Sequence, residues 1–255
     1  MAAPHTHTKQ IHAWASEYLD EVKNSVLPPL DSLKTSPGFR EIYQISLAFD
    51  AVLIELGKAS FKPTVESHRS IVLRVPLLVA IGQSSAATIE MRRLTELVFW
   101  TIYFKDHAIE WAHFLANPSD GYHPSVEQPI RYCAHRGSKF YIDYADERFG
   151  AEPSGLAKDS ISQMRSVVSI LNATVHPAHL AIGGSQAPPV ESVSEISLKV
   201  VAKVWREISS NLAILLSSIY CDEFDHLQPV HRGHFNWLIG RERSKKLLSG
   251  PFGLA

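Results

Sequence analysis

The stretch Val190–Cys221, VESVSEISLKVVAKVWREISSNLAILLSSIYC, decides the fold class. Its apolar residues Val193, Ile196, Val200, Val204, Ile208, Leu212, Leu215 and Ile219 recur at steps of three and four, the repeat of a helix with one buried face. A series of this length predicts a long helix over 190–221 lying along the seam of a bundle. The same seam is long enough to serve a homodimer, in which one face of the helix meets its copy.

Outward from this stretch, helical periodicity recurs wherever any periodicity can be read, and alternating apolar/polar runs are scarce. The expectation is an all-α, multi-helix bundle. Towards the N-terminus an amphipathic helix covers Lys9 to Val26 and stops at Pro28-Pro29, whose rings remove donors and clash with the preceding turn. A second opens near Pro37 and runs to about Ala59, burying Ile42, Ile45, Phe49, Val52, Leu53 and Leu56. Pro76 and Gly82 divide Ser70 to His107 into a short helix and a long one that starts near Ser84 or Ser85. A short helix over Ile109 to Ala116 ends at the turn NPSDG. The region 123–150 resists assignment, and RYCAHRG within it reads as a basic loop or solvated turn.

Ser154 is the expected cap of a further helix that Pro177 ends, and AIGGSQAPPVES then connects it to the seam helix. A last helix lies between Val230 and Leu248 and carries the basic cluster Arg241, Arg243, Lys245 and Lys246. The chain is thus expected to form one mostly helical domain over 1–255. Within it lie an N-terminal helical hairpin at 1–60, a helical core at 84–223, and a C-terminal helix with a basic tail at 228–255.

Composition narrows the function classes. The 255 residues are 45% hydrophobic, ample for a core, and 25 Lys/Arg nearly balance 26 Asp/Glu. No global field draws the molecule onto nucleic acid or an anionic membrane, so any phosphate recognition must be local. The two cysteines, Cys133 and Cys221, make neither a disulfide framework nor a thiolate zinc site, which fits a reducing cytoplasm. MAAPHTHTKQIHAWASEYLDEVK lacks the basic leader and unbroken apolar core of a secretory signal. No apolar run approaches the ~20 residues of a membrane-spanning helix, so membrane insertion is not expected. There is no G-x-S-x-G elbow, Walker-type loop, H-E-x-x-H or dinucleotide fingerprint, and no cofactor is expected.

The chemistry-bearing stretch is Gln163–His179, QMRSVVSILNATVHPAH. Arg165, Ser169, Asn172 and His176 are offset by four, seven and eleven residues, which nearly close on whole turns at ~3.6 residues per turn. They form one row beside the apolar stripe Ile161, Met164, Val168, Leu171 and Val175. Arginine, amide and imidazole in a row can hold a phosphate and move a proton; a solvent-facing polar stripe would look the same. On the long helix of Ser84 to His107, Arg92 and Glu96 are in reach of an ion pair, ahead of Trp100, Tyr103, Phe104 and His107. Such a pair locks helices together when buried, whereas an exposed Arg92 or Arg93 would serve as a phosphate clamp. The pairs His176/His179 and His231/His234 have i,i+3 spacing that lets two rings face one ion, but no carboxylate or thiolate completes either set, and no metal is assigned.

Asn172-Ala-Thr-Val-His176, followed by Pro177, resembles the Asn-x-x-x-His element of HEPN domains, a helical family of prokaryotic toxins, phage-defence proteins and RNA-processing systems. Arg92 to Trp111, RRLTELVFWTIYFKDHAIEW, is similar to an upstream helix loosely associated with HEPN-like folds. The resemblance implies a HEPN-like core at 84–223 and a place in a defence or toxin–antitoxin type system, with an antitoxin or other protein as partner. Members with the full motif are metal-independent RNases whose dimers face two motifs across a cleft. In the family an arginine immediately precedes the asparagine; here that position is Leu171. The resemblance carries over only Asn172 and His176; Arg165, two turns earlier, is read as a replacement cation outside the family's pattern, and Arg92, Arg93, Glu96 and Ser169 are read from their own placement as substrate contacts.

Three readings follow. The first is a metal-independent endoribonuclease acting on RNA, with His176, Asn172 and Arg165 as catalytic residues. The second is a non-catalytic helical module that binds a protein or a nucleotide. The third is a metal-dependent hydrolase built on the histidine pairs.

Overall fold

A computed structural model describes residues 20, 31–57, 62–116, 127–135, 153–175, 194–224 and 227–248. Among these residues lie ten helices: α1 (Pro37–Leu56), α2 (Lys62–Ala80), α3 (Ser84–Asp106), α4 (Ala108–Ala116), α5 (Glu127–His135), α6 (Pro153–Val175), α7 (Glu195–Ile219), α8 (Cys221–Phe224), α9 (Pro229–Ile239) and α10 (Arg241–Leu248). The described residues contain no strand, and the protein is an all-α multi-helix bundle. No helix among them is long and apolar enough to cross a membrane. The expected helix at 9–26 lies, apart from Asp20, outside the described residues.

Helix α7 is the axis, packing on α1, α3, α6 and α9. Its start is fixed by a reciprocal cap: the Ser194 hydroxyl accepts the Ser197 amide and the Ser197 hydroxyl accepts the Ser194 amide, each at 3.1 Å. The cap sets the helix start at Glu195, five residues later than the periodicity placed it. Glu195, the first helical residue, crosses to the start of α1. There the Ser36 hydroxyl donates to it at 2.6 Å and the Gly38 amide at 2.9 Å. The Ser36 bond foremost, with the Gly38 amide, holds the Glu195 carboxyl below its usual range. Ser36 also accepts the Phe39 amide at 3.1 Å and so caps α1 itself.

Helices α1 and α7 run in the same direction, since Gly38 meets Leu198 while Ser46, two turns on, accepts the Trp205 indole N–H at 2.9 Å. Their approach depends on the missing side chain of Gly38: a Cβ there would lie 2.8 Å from the Leu198 Cβ. Arg206 joins a third helix, bonding Glu41 at 3.0 Å and covering the Trp237 ring of α9 at 4.2 Å.

The apolar series on α7 divides into two parts. Ile208, Leu212, Leu215 and Ile219 are buried, whereas Ile196 is 79% and Val200 59% exposed; Val193 lies outside the described residues. In the first turns the core is met instead by Leu198, Ala202 and Trp205. From Ile208 to Tyr220 every residue is buried, including Ser209, Ser210, Ser217 and Ser218. Small serines let neighbouring helices close on all sides, and Ser217 and Ser218 satisfy their hydroxyls on the Ile214 carbonyl, each at 2.9 Å. The seam is therefore consumed inside one chain and offers no continuous face to a second copy.

Helix α2 is longer than the sequence suggests. It begins at Lys62 and continues through Pro76, which costs an intrahelical bond and ordinarily ~3 kcal/mol. The burial of Val65, Ile71, Val72, Val75 and Val79 between α1 and α3 offsets that loss. It stops at Gly82, whose φ of 71° closes a Schellman turn, with Gln83 N–H on the Leu78 carbonyl and Gly82 N–H on that of Val79. Polar ties fix α2 to its neighbours: Arg69 grips both oxygens of Asp50 at 2.7 and 3.3 Å, and buried His68 joins the Thr64 carbonyl to the Thr101 hydroxyl of α3.

Three more expectations change. Arg131 to His135, read as a loop or turn, belong to α5. Ser154 falls inside the first turn of α6, which starts at Pro153. The single C-terminal helix is two, divided by Gly240 at φ 87°, where a side chain would be strained.

Candidate functional site

Helix α6 presents one face to the bundle and one to solvent. Ala157, Ile161, Met164, Val167, Val168 and Leu171 are buried against α3, α5 and α7, while Arg165 and Ser169 are exposed, as are Ser162, Ser166 and Ile170. Arg165 makes no hydrogen bond or ion pair with any described residue. An unpaired guanidinium keeps its five donors and its charge for an incoming anion. Asn172 lies in the last helical turn, in line with Arg165 and Ser169 by helical geometry; its side chain is outside the described set, and His176 and Pro177 lie outside it altogether.

Leu171 is 2% exposed, on the core side of α6 with Met164 and Val168. This position, where the HEPN element carries arginine, points inward here. A cation placed on it would be driven into an apolar interior. Any positive charge serving the row has to come from the outer face, where Arg165 stands.

The arginines of α3 are already engaged. Arg92 bonds Glu96 at 2.8 Å, both side chains being about 70% buried, so this pair sits between the locked and the open alternatives. Arg93 is more exposed and lies 3.9 Å from Glu90, which also receives Arg74 at 3.4 Å. Helix α3 packs on α6, yet no hydrogen bond or ion pair joins Arg92, Arg93 or Glu96 to Arg165 or Ser169. The expected substrate contacts of α3 are thus held by their own carboxylates.

At the far end of α3 the aromatic rim closes on itself. His107 stacks on Tyr103 at 3.9 Å and 4°, its Nδ1 donating to the Tyr103 carbonyl at 2.7 Å; Tyr132 of α5 meets both rings edge-on. Glu110 accepts the Tyr103 hydroxyl at 2.9 Å, and Asp106 accepts that of Tyr132. These groups join α3, α4 and α5. Cys133 is buried, and burial pushes its thiol well above the ordinary range, which removes it as a nucleophile.

Two histidines that periodicity alone does not place are interior ties. Burial pushes the His68 imidazole below its ordinary range, outweighing its backbone hydrogen bonds. His231 Nδ1 meets Glu55, whose side chain is 1% exposed, and so couples α9 to α1. The signal in the sequence was Glu55 itself, an acid one residue before Leu56 on a strongly apolar helix, which requires a partner. His231 is thus bonded to a carboxylate across the bundle. Among the described residues no group of three or more His, Cys, Asp or Glu is arranged to hold a metal; His176 and His179 lie outside them. No family model, curated protein or solved structure matches the chain.

Proposed function

We propose that the protein is a HEPN-like helical protein of a prokaryotic defence or toxin–antitoxin type system that engages RNA through the outer row of α6. The observation that supports this reading is Arg165, exposed and unpaired in line with Ser169 on the helix that leads to Asn172 and His176. In its catalytic form the reading is a metal-independent RNase. The ribose 2′-hydroxyl attacks the adjacent phosphorus and its proton passes to a base. The 5′-oxygen of the next nucleotide departs and takes a proton, leaving a cyclic phosphate and a free 5′-hydroxyl. His176, with an unperturbed pKa of ~6.5, suits either proton transfer. Arg165 stabilises charge on the phosphoryl oxygens, and Asn172 orients the imidazole or a phosphate oxygen. In the paired form of the family, a homodimer sets two such rows across a cleft.

The burial of Leu171 favours a second reading, in which the element binds without cutting: the inward position has lost the family's arginine, and the module recognises a nucleotide or a protein partner such as an antitoxin. The test is incubation of metal-chelated protein with mixed cellular RNA, alongside His176→Ala and Arg165→Ala. The catalytic form requires cyclic-phosphate ends from the wild type alone. RNA binding weakened by Arg165→Ala, with no cleavage by any of the three, selects the binding form; wild-type protein that neither binds nor cleaves RNA overturns both RNA readings.

A further inference from the structure

The chain is balanced in charge overall, but its balance is uneven. Pro229–Leu248 holds five of the 25 Lys/Arg and one of the 26 Asp/Glu, so this helical pair is strongly basic on a net acidic remainder. Helix α10 concentrates the excess. Ser244 and Leu247 face inward, the Ser244 hydroxyl donating to Asn236 of α9, and Arg241, Lys245 and Lys246 are exposed on the opposite side. The sole acid, Glu242, is 3.8 Å from Lys245, while Arg241, Arg243 and Lys246 have no acidic partner among the described residues. Gly240, at φ 87°, sets the turn that lays α10 beside α9, and α10 also packs against α6, the helix that carries Arg165.

We infer that the outward face of α10 is a docking surface for the phosphate backbone of RNA, a second point of attachment beside the α6 row. The inference rests on the reading above that the ligand is RNA, and it locates the basic footprint that such binding requires. An anionic membrane is the less suitable occupant. Surface helices that enter a bilayer pair their basic residues with exposed apolar ones, and here Leu247 is turned into the core.

The experiment measures binding of labelled oligouridine by fluorescence anisotropy across a salt series, in a His176→Ala background so that the strand is not consumed. Arg241→Glu/Lys246→Glu is compared with Lys199→Glu/Lys203→Glu, a pair of exposed lysines on α7 giving the same change in net charge. The expected result is about tenfold weaker binding for the α10 variant and a salt slope shallower by about 1.4, at ~0.7 per lost single-strand phosphate contact. The α7 variant is expected to stay within about twofold. Equal weakening by both variants reduces the effect to net charge and overturns the inference, as does no weakening by either. If Arg165→Ala weakens binding and the α10 variant does not, the α6 reading stands and this one fails. Binding to phosphatidylserine vesicles in place of oligouridine assigns the face to membranes and overturns it, and failure of the His176→Ala protein to bind oligouridine removes both. Melting temperatures of the two double variants, expected to match the background protein, separate loss of binding from loss of fold.

Discussion

Helices α6 and α7 are similar in length and both read from the sequence as amphipathic, yet the bundle treats them oppositely. Helix α6 keeps one face in water along its described length, with Met164 and Leu171 inward and Arg165 and Ser169 outward. Helix α7 is one-sided only near its start and is enclosed completely from Ile208 onward. Hydrophobic periodicity identifies a face that prefers burial; it does not say what covers the remainder. On the enclosed part of α7 the remainder is uncharged, with Ser209, Ser210, Ala213, Ser217 and Ser218 small enough for other helices to approach, whereas on α6 it carries a charged arginine, which keeps neighbours away unless a carboxylate comes with them.

The largest expected effect breaks this comparison inside α7 itself. Ile196 and Ile208 belong to one apolar series, but they sit at 79% and 0% exposure. Ile208→Ala should cost about 2–5 kcal/mol, from lost transfer energy and a cavity that the enclosed helix closes only in part. Ile196→Ala should stay within about 0.5 kcal/mol, as for a surface change away from any special feature. Urea unfolding of both variants checks this. Comparable losses would mean that the first turns of α7 are covered in solution, and would restore the whole series as an interface.

The helices of the bundle were legible in the sequence where one face dominates. The six residues predicted to be buried on α1 are all buried, and α3 starts at Ser84 as expected. What was not legible has physical causes. Pro76 reads as a stop because local propensity opposes it, and only burial between α1 and α3 carries the helix past. Gly240 was hidden by the basic residues that follow it, which continue a helical composition across a backbone break. The Glu55–His231 tie spans two ends of the chain, and no local pattern joins them. Of the proposed row, the sequence set Arg165 and Ser169 in line beside the apolar stripe, and both lie exposed on α6; it also put Leu171 in that stripe, the observation that now bears most on the motif.

A smaller effect sharpens the comparison at the crossing of α1 with α7. Alanine is a better helix former than glycine by about 1 kcal/mol, so Gly38→Ala would stabilise an exposed helix. Here the new Cβ would come within 2.8 Å of the Leu198 Cβ, and neither atom is the far end of a flexible side chain. Overpacking of this kind costs about 1–3 kcal/mol, so a net loss of about 1 kcal/mol is expected in urea unfolding. A gain in stability would show that α7 can move away from α1 at little cost, which an enclosed helix should resist.

The smallest effect belongs to the open face of α6. Arg165 and Ser169 are exposed and make no hydrogen bond or ion pair with a described residue, so Arg165→Ala and Ser169→Ala should each leave stability within about 0.5 kcal/mol of the wild type. Near-zero change is informative here because polar residues held in place for packing would be missed on removal. Met164, the buried neighbour of Arg165, supplies the contrast: its truncation should cost about 2–5 kcal/mol by the same measurement. If Arg165→Ala instead lowers stability substantially, the guanidinium is employed within the fold, and its availability to a phosphate, on which the functional reading depends, is lost. If stability is unchanged while RNA binding falls, the free energy carried by Arg165 is spent on a ligand and not on the fold.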